Sequence, residues 1–234
     1  MRGRDSVDFS IYSKGLMVLA RNPLIIVFPL LAAALEIALA YVRGPLFDPL
    51  GGKDFGLFQL IESLIDGFAF ALAIIAAETA WRNRKPTFTS TWEEGGRKAG
   101  SIFMATIVFV FMLFVAGMLG GFTQISLVEI LAQLAAAYFL IYTIPAAAIG
   151  GIPGGAALQY SIERVRGNYL GAAVLAIVAI ALYNLFVPFA GVYLTAPLGV
   201  YAPYGIIILK ALIIGYLGVV FARQYDDVGF FRPY

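Results

Sequence analysis

Apolar positions in this chain of 234 residues are gathered into six long runs, separated by short segments that carry most of the polar residues. The runs cover residues 24–42, 57–81, 102–122, 125–149, 170–194 and 206–222. At about 1.5 Å per helical residue, each run is long enough to cross roughly 30 Å of hydrocarbon. No run alternates with the period of two that a membrane β-strand needs. The pattern predicts an all-α, polytopic integral membrane protein, a single transmembrane domain over residues 1–234 with six helices in three hairpins.

The composition excludes several classes of protein. The chain is 61% apolar and 13% charged, whereas a soluble domain is about 25% charged. It contains no Cys and no His, which excludes disulfides, thiolate nucleophiles, histidine bases and sites built on Cys or His ligands. We therefore expect no enzymatic activity, no catalytic residue, no cofactor and no metal. The net charge of +2 is too small to indicate a nucleic-acid partner.

The basic residues predict the orientation in the membrane, because cytoplasmic loops carry an excess of Lys and Arg. Most of them lie before the first run, between the second and third, between the fourth and fifth, or after the sixth. These are Arg2, Arg4, Lys14, Arg21, Arg82, Arg84, Lys85, Arg97, Lys98, Arg164, Arg166, Arg223 and Arg232. The opposite side holds Arg43 and Lys53, and Lys210 lies inside the sixth run. Both termini are therefore predicted to be cytoplasmic, in the plasma membrane of a prokaryote. The leader before the first run is too long for a signal peptide, so we expect that run to be retained.

Short amphipathic stretches precede the first, third and fifth runs. They cover residues 8–20, 90–99 and 156–166. Each leads into a basic residue and a helix-breaking step, at Arg21-Asn22-Pro23, Lys98-Ala99-Gly100 and Arg166-Gly167-Asn168. The pattern predicts three cytoplasmic interfacial helices and a repeat of one interfacial helix plus one transmembrane hairpin. The alternative is that these stretches are ordinary loops whose basic residues only orient the chain.

The steps at Arg21-Asn22-Pro23 and Arg166-Gly167-Asn168, each at the end of an amphipathic stretch, are similar to those of a known group of proteins. The chain resembles the six-helix prokaryotic membrane proteins related to the membrane domain fused to some glycerophosphodiester phosphodiesterases. The resemblance covers most of the chain and implies the architecture. It implies no functional residues, because that family is largely without assigned activity. The chain has no room for the soluble phosphodiesterase barrel.

Several ionisable residues fall inside the predicted spans, where each costs roughly 2.5–3.5 kcal/mol on insertion scales. Those in the outer half of the membrane, with one neighbouring amide, form a candidate intramembrane polar site: Glu36, Glu62, Asp66, Glu129, Lys210 and Asn184. Glu62 and Asp66 are four residues apart and share a helix face. Asp66 and Lys210 lie at similar depths, so we expect them to approach each other directly or through one water. Four carboxylates against one ammonium group require protonation, a bound cation or entry of water.

Two functions remain open from the sequence. The first hypothesis is a non-enzymatic scaffold or subunit of a larger membrane assembly, in which the polar residues only lock helices together. The alternative is a small channel or transporter for protons, cations or a small solute that uses the outer-leaflet acidic cluster. A lipid-handling enzyme is disfavoured because the motifs of that chemistry are incomplete. The expected partners are the lipid bilayer and either other membrane proteins or further copies of this chain.

Overall fold

The computed structural model describes the backbone of residues 7–47 and 55–229, and the side chains of those ranges except 40–59, 184, 200 and 226–229. Every secondary-structure element in this described part is a helix, and short loops connect them. In chain order the helices are α1 (Ser10–Arg21), α2 (Leu24–Phe47), α3 (Phe55–Trp81), α4 (Phe88–Gly121), α5 (Ser126–Phe139), α6 (Thr143–Gly150), α7 (Gly154–Gly167), α8 (Tyr169–Ile180), a π-helix (Ala181–Phe186), α9 (Val187–Leu198), a 3-10 turn (Gly199–Tyr201) and α10 (Ala202–Gly229).

Long apolar helices dominate this architecture and identify a membrane-embedded protein. Five helical segments are long and apolar enough to cross a bilayer: Leu60–Trp81, Phe88–Gly121, Ser126–Gly150, Tyr169–Leu198 and Ala202–Tyr225. The third joins α5 and α6, and the fourth joins α8, the π-helix and α9. A sixth candidate is the pair α1 and α2, which bends by 80° between the two helices. These segments overlap the predicted runs. The helices generally extend beyond those runs, because polar residues at either end continue the helical backbone.

The centre of the bundle is α3, which presents a face of small residues to its neighbours. Ala71, Ala73 and Ala76 have no exposed surface. α10 packs closely on this face at Gly218, where an added Cβ would lie 3.0 Å from the Cβ atom of Ala73. Such small residues let membrane helices approach and gain van der Waals contact. α2, α4 and α10 all pack against α3, and this arrangement places α3 residues within reach of both α2 and α10.

The boundary between the second and third predicted runs differs from the expectation. We predict a separate interfacial helix over residues 90–99 that ends at Lys98-Ala99-Gly100, but α4 continues through this step without a break. A glycine inside a helix costs only about 1 kcal/mol relative to alanine, so it does not end a helix that packs well on both sides. α4 has 34 residues and would measure about 51 Å, longer than the hydrocarbon core. Its first turns therefore extend beyond the membrane interior.

The other two breaks lie where the sequence predicts them, and they share one backbone conformation. Asn22 ends α1 at φ −130° and ψ 69°, and Asn168 ends α7 at φ −154° and ψ 78°. The Nδ2 atom of Asn22 donates to the carbonyl of Val18, and the Oδ1 atom of Asn168 accepts from the N–H of Gly171. Asparagine can satisfy backbone groups on either side of a break, which explains its use at both positions.

The predicted run over residues 125–149 corresponds to one candidate span, Ser126–Gly150, in which a short turn at residues 140–142 separates α5 from α6. Ser161 of α7 satisfies the groups that this break exposes. Its Oγ atom accepts from the N–H of Tyr142 at 3.0 Å and donates to the carbonyl of Phe139 at 2.8 Å. Lys98 of α4 caps the C-terminal end of α6. Its Nζ atom donates to the carbonyls of Ala148 at 2.8 Å and Ile149 at 2.9 Å.

Candidate functional site

Four of the predicted polar residues meet between α2, α3 and α10. The carboxyl groups of Glu36 on α2 and Asp66 on α3 are within hydrogen-bonding reach of each other, and Lys210 and Glu62 are the other charged neighbours of Glu36. Lys210 on α10 has Tyr183 of the π-helix beside it, with Glu36 and Asp66 nearby. We refer to Glu36, Glu62, Asp66, Tyr183 and Lys210 as the intramembrane cluster. It follows from the close packing of α2 and α10 on α3, which brings these side chains into one region.

Lys210 faces an aromatic ring rather than a carboxylate. Its Nζ atom lies 5.5 Å from the centre of the Tyr183 ring, within the range of a cation–π contact. Within the described residues no ion pair joins Lys210 to Glu36 or Asp66. The expectation that Asp66 and Lys210 approach each other is therefore met only in part, since they share a cluster without forming a direct pair. The positive charge of the ammonium group still lowers the free energy needed to ionise the nearby carboxyl groups, without direct contact.

The π-helix places Tyr183 beside the cluster. Residues Ala181–Phe186 form a wider turn between α8 and α9, inside the segment that also crosses the membrane. A π-helical turn shifts the direction of the side chains that follow it, and such turns often accompany functional sites. Asn184, a predicted site residue, is on the same turn, and its side chain lies outside the described part of the structure. The turn therefore supplies a phenol hydroxyl to the middle of an apolar segment.

A cavity of about 1100 Å³, partly open to the outside of the bundle beside the exposed Phe111 and Phe114, adjoins the cluster between α3, α4, α5 and α10, and it extends to α8 and the π-helix. Most of its walls are apolar, and Phe residues from α3, α4 and α10 contribute to them. The polar side chains that line it are Ser63, Asp66, Thr106, Gln133 and Tyr183. Thr106 is occupied by a hydrogen bond from its Oγ1 atom to the carbonyl of Ile102 at 2.9 Å. Asp66 and Tyr183 belong both to the cavity wall and to the cluster, so the cavity gives access to the charged groups.

Glu129 is the predicted site residue that the structure places elsewhere. It lies in the first turn of α5, where its backbone packs against Gly120 of α4. It is not one of the close charged neighbours of Glu36 or Lys210. Tyr183 is the cluster residue that the sequence analysis missed. The available signal was a phenol near the middle of a strongly apolar run, where a hydroxyl needs a polar partner.

The described residues include no group of three or more His, Cys, Asp or Glu side chains placed to hold a metal ion. Comparison of the chain with protein-family models, with curated proteins and with solved structures gave no match. The resemblance to six-helix prokaryotic membrane proteins therefore stays a prediction.

Proposed function

We propose that the protein is a membrane carrier in which Glu36 and Asp66 bind a proton or a small cation at the border of the apolar cavity. One observation carries this proposal: Asp66 belongs both to a charged cluster and to the wall of a cavity of about 1100 Å³. A residue that only locks helices together needs no such access. A carrier site needs a charged group that its substrate can reach. Asp66 meets this requirement because it lines the cavity.

The charge of the cluster supports a cationic occupant. The cluster contains three carboxyl groups, those of Glu36, Glu62 and Asp66, and a single ammonium group, that of Lys210. Ionised side chains are expensive in a medium of low dielectric constant unless opposite charges compensate them. Two neighbouring carboxyl groups bind a proton or a cation more favourably than either binds it alone, because binding removes their mutual repulsion. The excess of acid over base thus favours uptake of positive charge.

We also propose the topology in which this carrier works. It has six transmembrane segments, with α1 and α7 as interfacial helices on the cytoplasmic side and both termini in the cytoplasm. The 80° bend between α1 and α2 supports an α1 that lies along the membrane surface. The excess of Lys and Arg beside these helices supports the orientation, in the plasma membrane of a prokaryote. In this arrangement the cluster lies in the outer half of the bilayer.

The scaffold hypothesis uses the same residues as a structural lock and explains neither the cavity nor the excess of acid. We propose for both hypotheses that the chain acts without enzymatic chemistry. The absence of Cys and His from the whole sequence supports this, since it removes the commonest nucleophile–base pairs. A structural lock predicts no movement of ions across the membrane, so flux distinguishes the two hypotheses.

The proposal is tested with the full chain reconstituted into liposomes that contain a fluorescent pH indicator. Separate gradients of protons, Na⁺, K⁺ and the organic cation tetramethylammonium, which crosses protein-free bilayers poorly, are applied, and internal pH or uptake is measured. We expect at least one gradient to collapse faster than in protein-free liposomes. Equal rates with and without protein for all four cations would contradict the carrier and favour the scaffold.

A further inference from the structure

A second cavity, of about 1150 Å³, opens at the end of the bundle where α3 ends and α4 begins. α6, α7 and α10 complete its walls. Its basic side chains are Arg82, Arg84, Arg97, Lys98, Arg164 and Arg223. Its acidic side chains are Glu78, Glu93 and Glu94. We refer to this space as the basic cavity, since six cationic groups converge on it against three carboxylates.

The carboxylates of the basic cavity are largely occupied by cations of their own helices. Glu78 pairs with Arg82 one turn away. Glu94 pairs with both Arg97 and Lys98, the latter at 2.8 Å. These local pairs neutralise one another and leave Glu93, exposed in the first turns of α4, as the carboxylate that opposes Arg84, Arg164 and Arg223. The remaining basic groups therefore determine the sign of the potential in the cavity.

Arg164 is held in place by aromatic rings. Its guanidinium carbon lies 4.7 Å from the centre of the Tyr160 ring and 5.1 Å from that of Tyr225, and it donates to the Tyr160 hydroxyl. Stacking occupies the faces of a guanidinium group and leaves N–H donors at its edge. Within the described residues Arg164 has no carboxylate partner. An arginine that is fixed but not neutralised is suited to bind an external anion.

Two further features strengthen the basic cavity as an anion site. Arg84, on the loop between α3 and α4, is exposed and has no ion pair within the described residues. Ser90 and Thr91 in the first turn of α4 also line the cavity, so the positive end of the helix dipole adds to the potential. Arg84 and Arg164 line the same cavity from different elements, the loop between α3 and α4 and the helix α7.

We propose that the basic cavity binds a phosphate group, with Arg84 and Arg164 as its main ligands. Guanidinium forks match the spacing of phosphate oxygens and bind them with two parallel hydrogen bonds. Two sources of phosphate can reach this position, a soluble phosphate and the headgroup of an anionic phospholipid. The aromatic pair Phe88 and Trp92, exposed and stacked with ring centres 6.0 Å apart, lies beside the cavity at the start of α4. Such rings prefer the headgroup level, so the cavity is at a depth where lipid phosphates are abundant.

The test compares two double variants of the full chain in detergent that carry the same change of net charge. Arg84→Gln with Arg164→Gln removes the proposed ligands. Lys85→Gln with Arg166→Gln removes their neighbours, which are exposed and do not line the cavity. Binding is measured with dioctanoyl phosphatidylglycerol and with inorganic phosphate, using dioctanoyl phosphatidylcholine and chloride as references at matched ionic strength.

We expect the wild type and the Lys85/Arg166 variant to bind at least one of the two anionic probes. The Arg84/Arg164 variant should bind it at least about tenfold more weakly, since two charge-assisted contacts are lost. Binding of the lipid alone identifies a headgroup site, and binding of inorganic phosphate identifies a soluble ligand. Equal weakening in both variants, or no binding of either probe to the wild type, would overturn the proposal. Arg84→Gln alone, at an exposed side chain, gives the same comparison with Lys85→Gln if the double variant does not fold.

Discussion

The ammonium group of Lys210 lies over the ring of Tyr183, 5.5 Å from its centre, and in the described part of the chain it forms no ion pair with Glu36, Glu62 or Asp66. The ring and the hydroxyl of Tyr183 hold the positive charge near Glu36 and Asp66, and neither carboxyl group is paired with it directly. If Lys210 formed a direct ion pair with a carboxylate, that carboxylate would already have its positive partner and would bind a further cation less readily. The arrangement in this chain leaves carboxyl oxygens available to a proton or a cation at the cavity wall.

The contact between Lys210 and Tyr183 predicts a difference between two substitutions. Tyr183→Leu removes the ring and should lower the free energy of unfolding by about 1 kcal/mol, the usual size of a partly buried cation–π contact. Tyr183→Phe keeps the ring face and should lose less. Thermal unfolding of the purified protein in detergent measures both. If the two variants lost the same stability, the hydroxyl and not the ring would hold Lys210.

Ser161 is predicted to be the residue that permits the break between α5 and α6. Ser161→Ala leaves the N–H of Tyr142 without its hydrogen-bond acceptor, at a buried position. An unsatisfied buried polar group costs about 1–3 kcal/mol, so the melting temperature should fall. Ser13→Ala, which removes an exposed hydrogen bond to Ser10, serves as the control and should have little effect. Equal melting temperatures for Ser161→Ala and the wild type would contradict this role.

Lys98 connects α4 to the end of α6, so its loss should destabilise the helix pair. Lys98→Met removes the hydrogen bonds to the carbonyls of Ala148 and Ile149 and the ion pair with Glu94. Hydrogen bonds to charged groups contribute about 1.5–3 kcal/mol, and we expect a loss of that order. The matched control is Lys85→Met, at an exposed lysine in the preceding loop. Hydrogen exchange of the α6 amides should rise in the first variant, and an unchanged rate would contradict the connection.

The orientation is predicted separately from the site. Reporter fusions after Arg21 and after Tyr234 should both give a cytoplasmic signal, because Lys and Arg are concentrated on that side of the membrane. A fusion in the segment between the first two spans, after Lys53, should give the opposite signal. A cytoplasmic signal from all three fusions would show that the first two spans do not form a hairpin.

The sequence predicts the parts of this structure that depend on length, hydropathy and depth. The apolar runs locate the long helices, and the positions of Glu36, Asp66 and Lys210 along their runs place them at similar depths. Depth does not determine which side of a helix faces a neighbour, so the role of Tyr183 was not predictable. The break between α5 and α6 also escaped prediction, because the serine that satisfies it lies about 20 residues further along the chain. The basic residues predict an orientation, and only packing of α7 and α10 brings Arg164 and Arg223 beside α4.

The central claim is that Asp66 binds the transported positive charge, and one flux comparison tests it most directly. Wild-type protein, Asp66→Asn and Glu129→Gln are reconstituted at equal density, and proton flux is followed under the same imposed gradient. Each of the two variants removes one carboxylate from a candidate membrane-spanning segment, but Glu129 lies outside the cluster. We expect Asp66→Asn to slow flux by at least about tenfold, equivalent to a barrier higher by about 1.4 kcal/mol, and Glu129→Gln to retain the wild-type rate. Equal flux through the wild type and Asp66→Asn would contradict the claim.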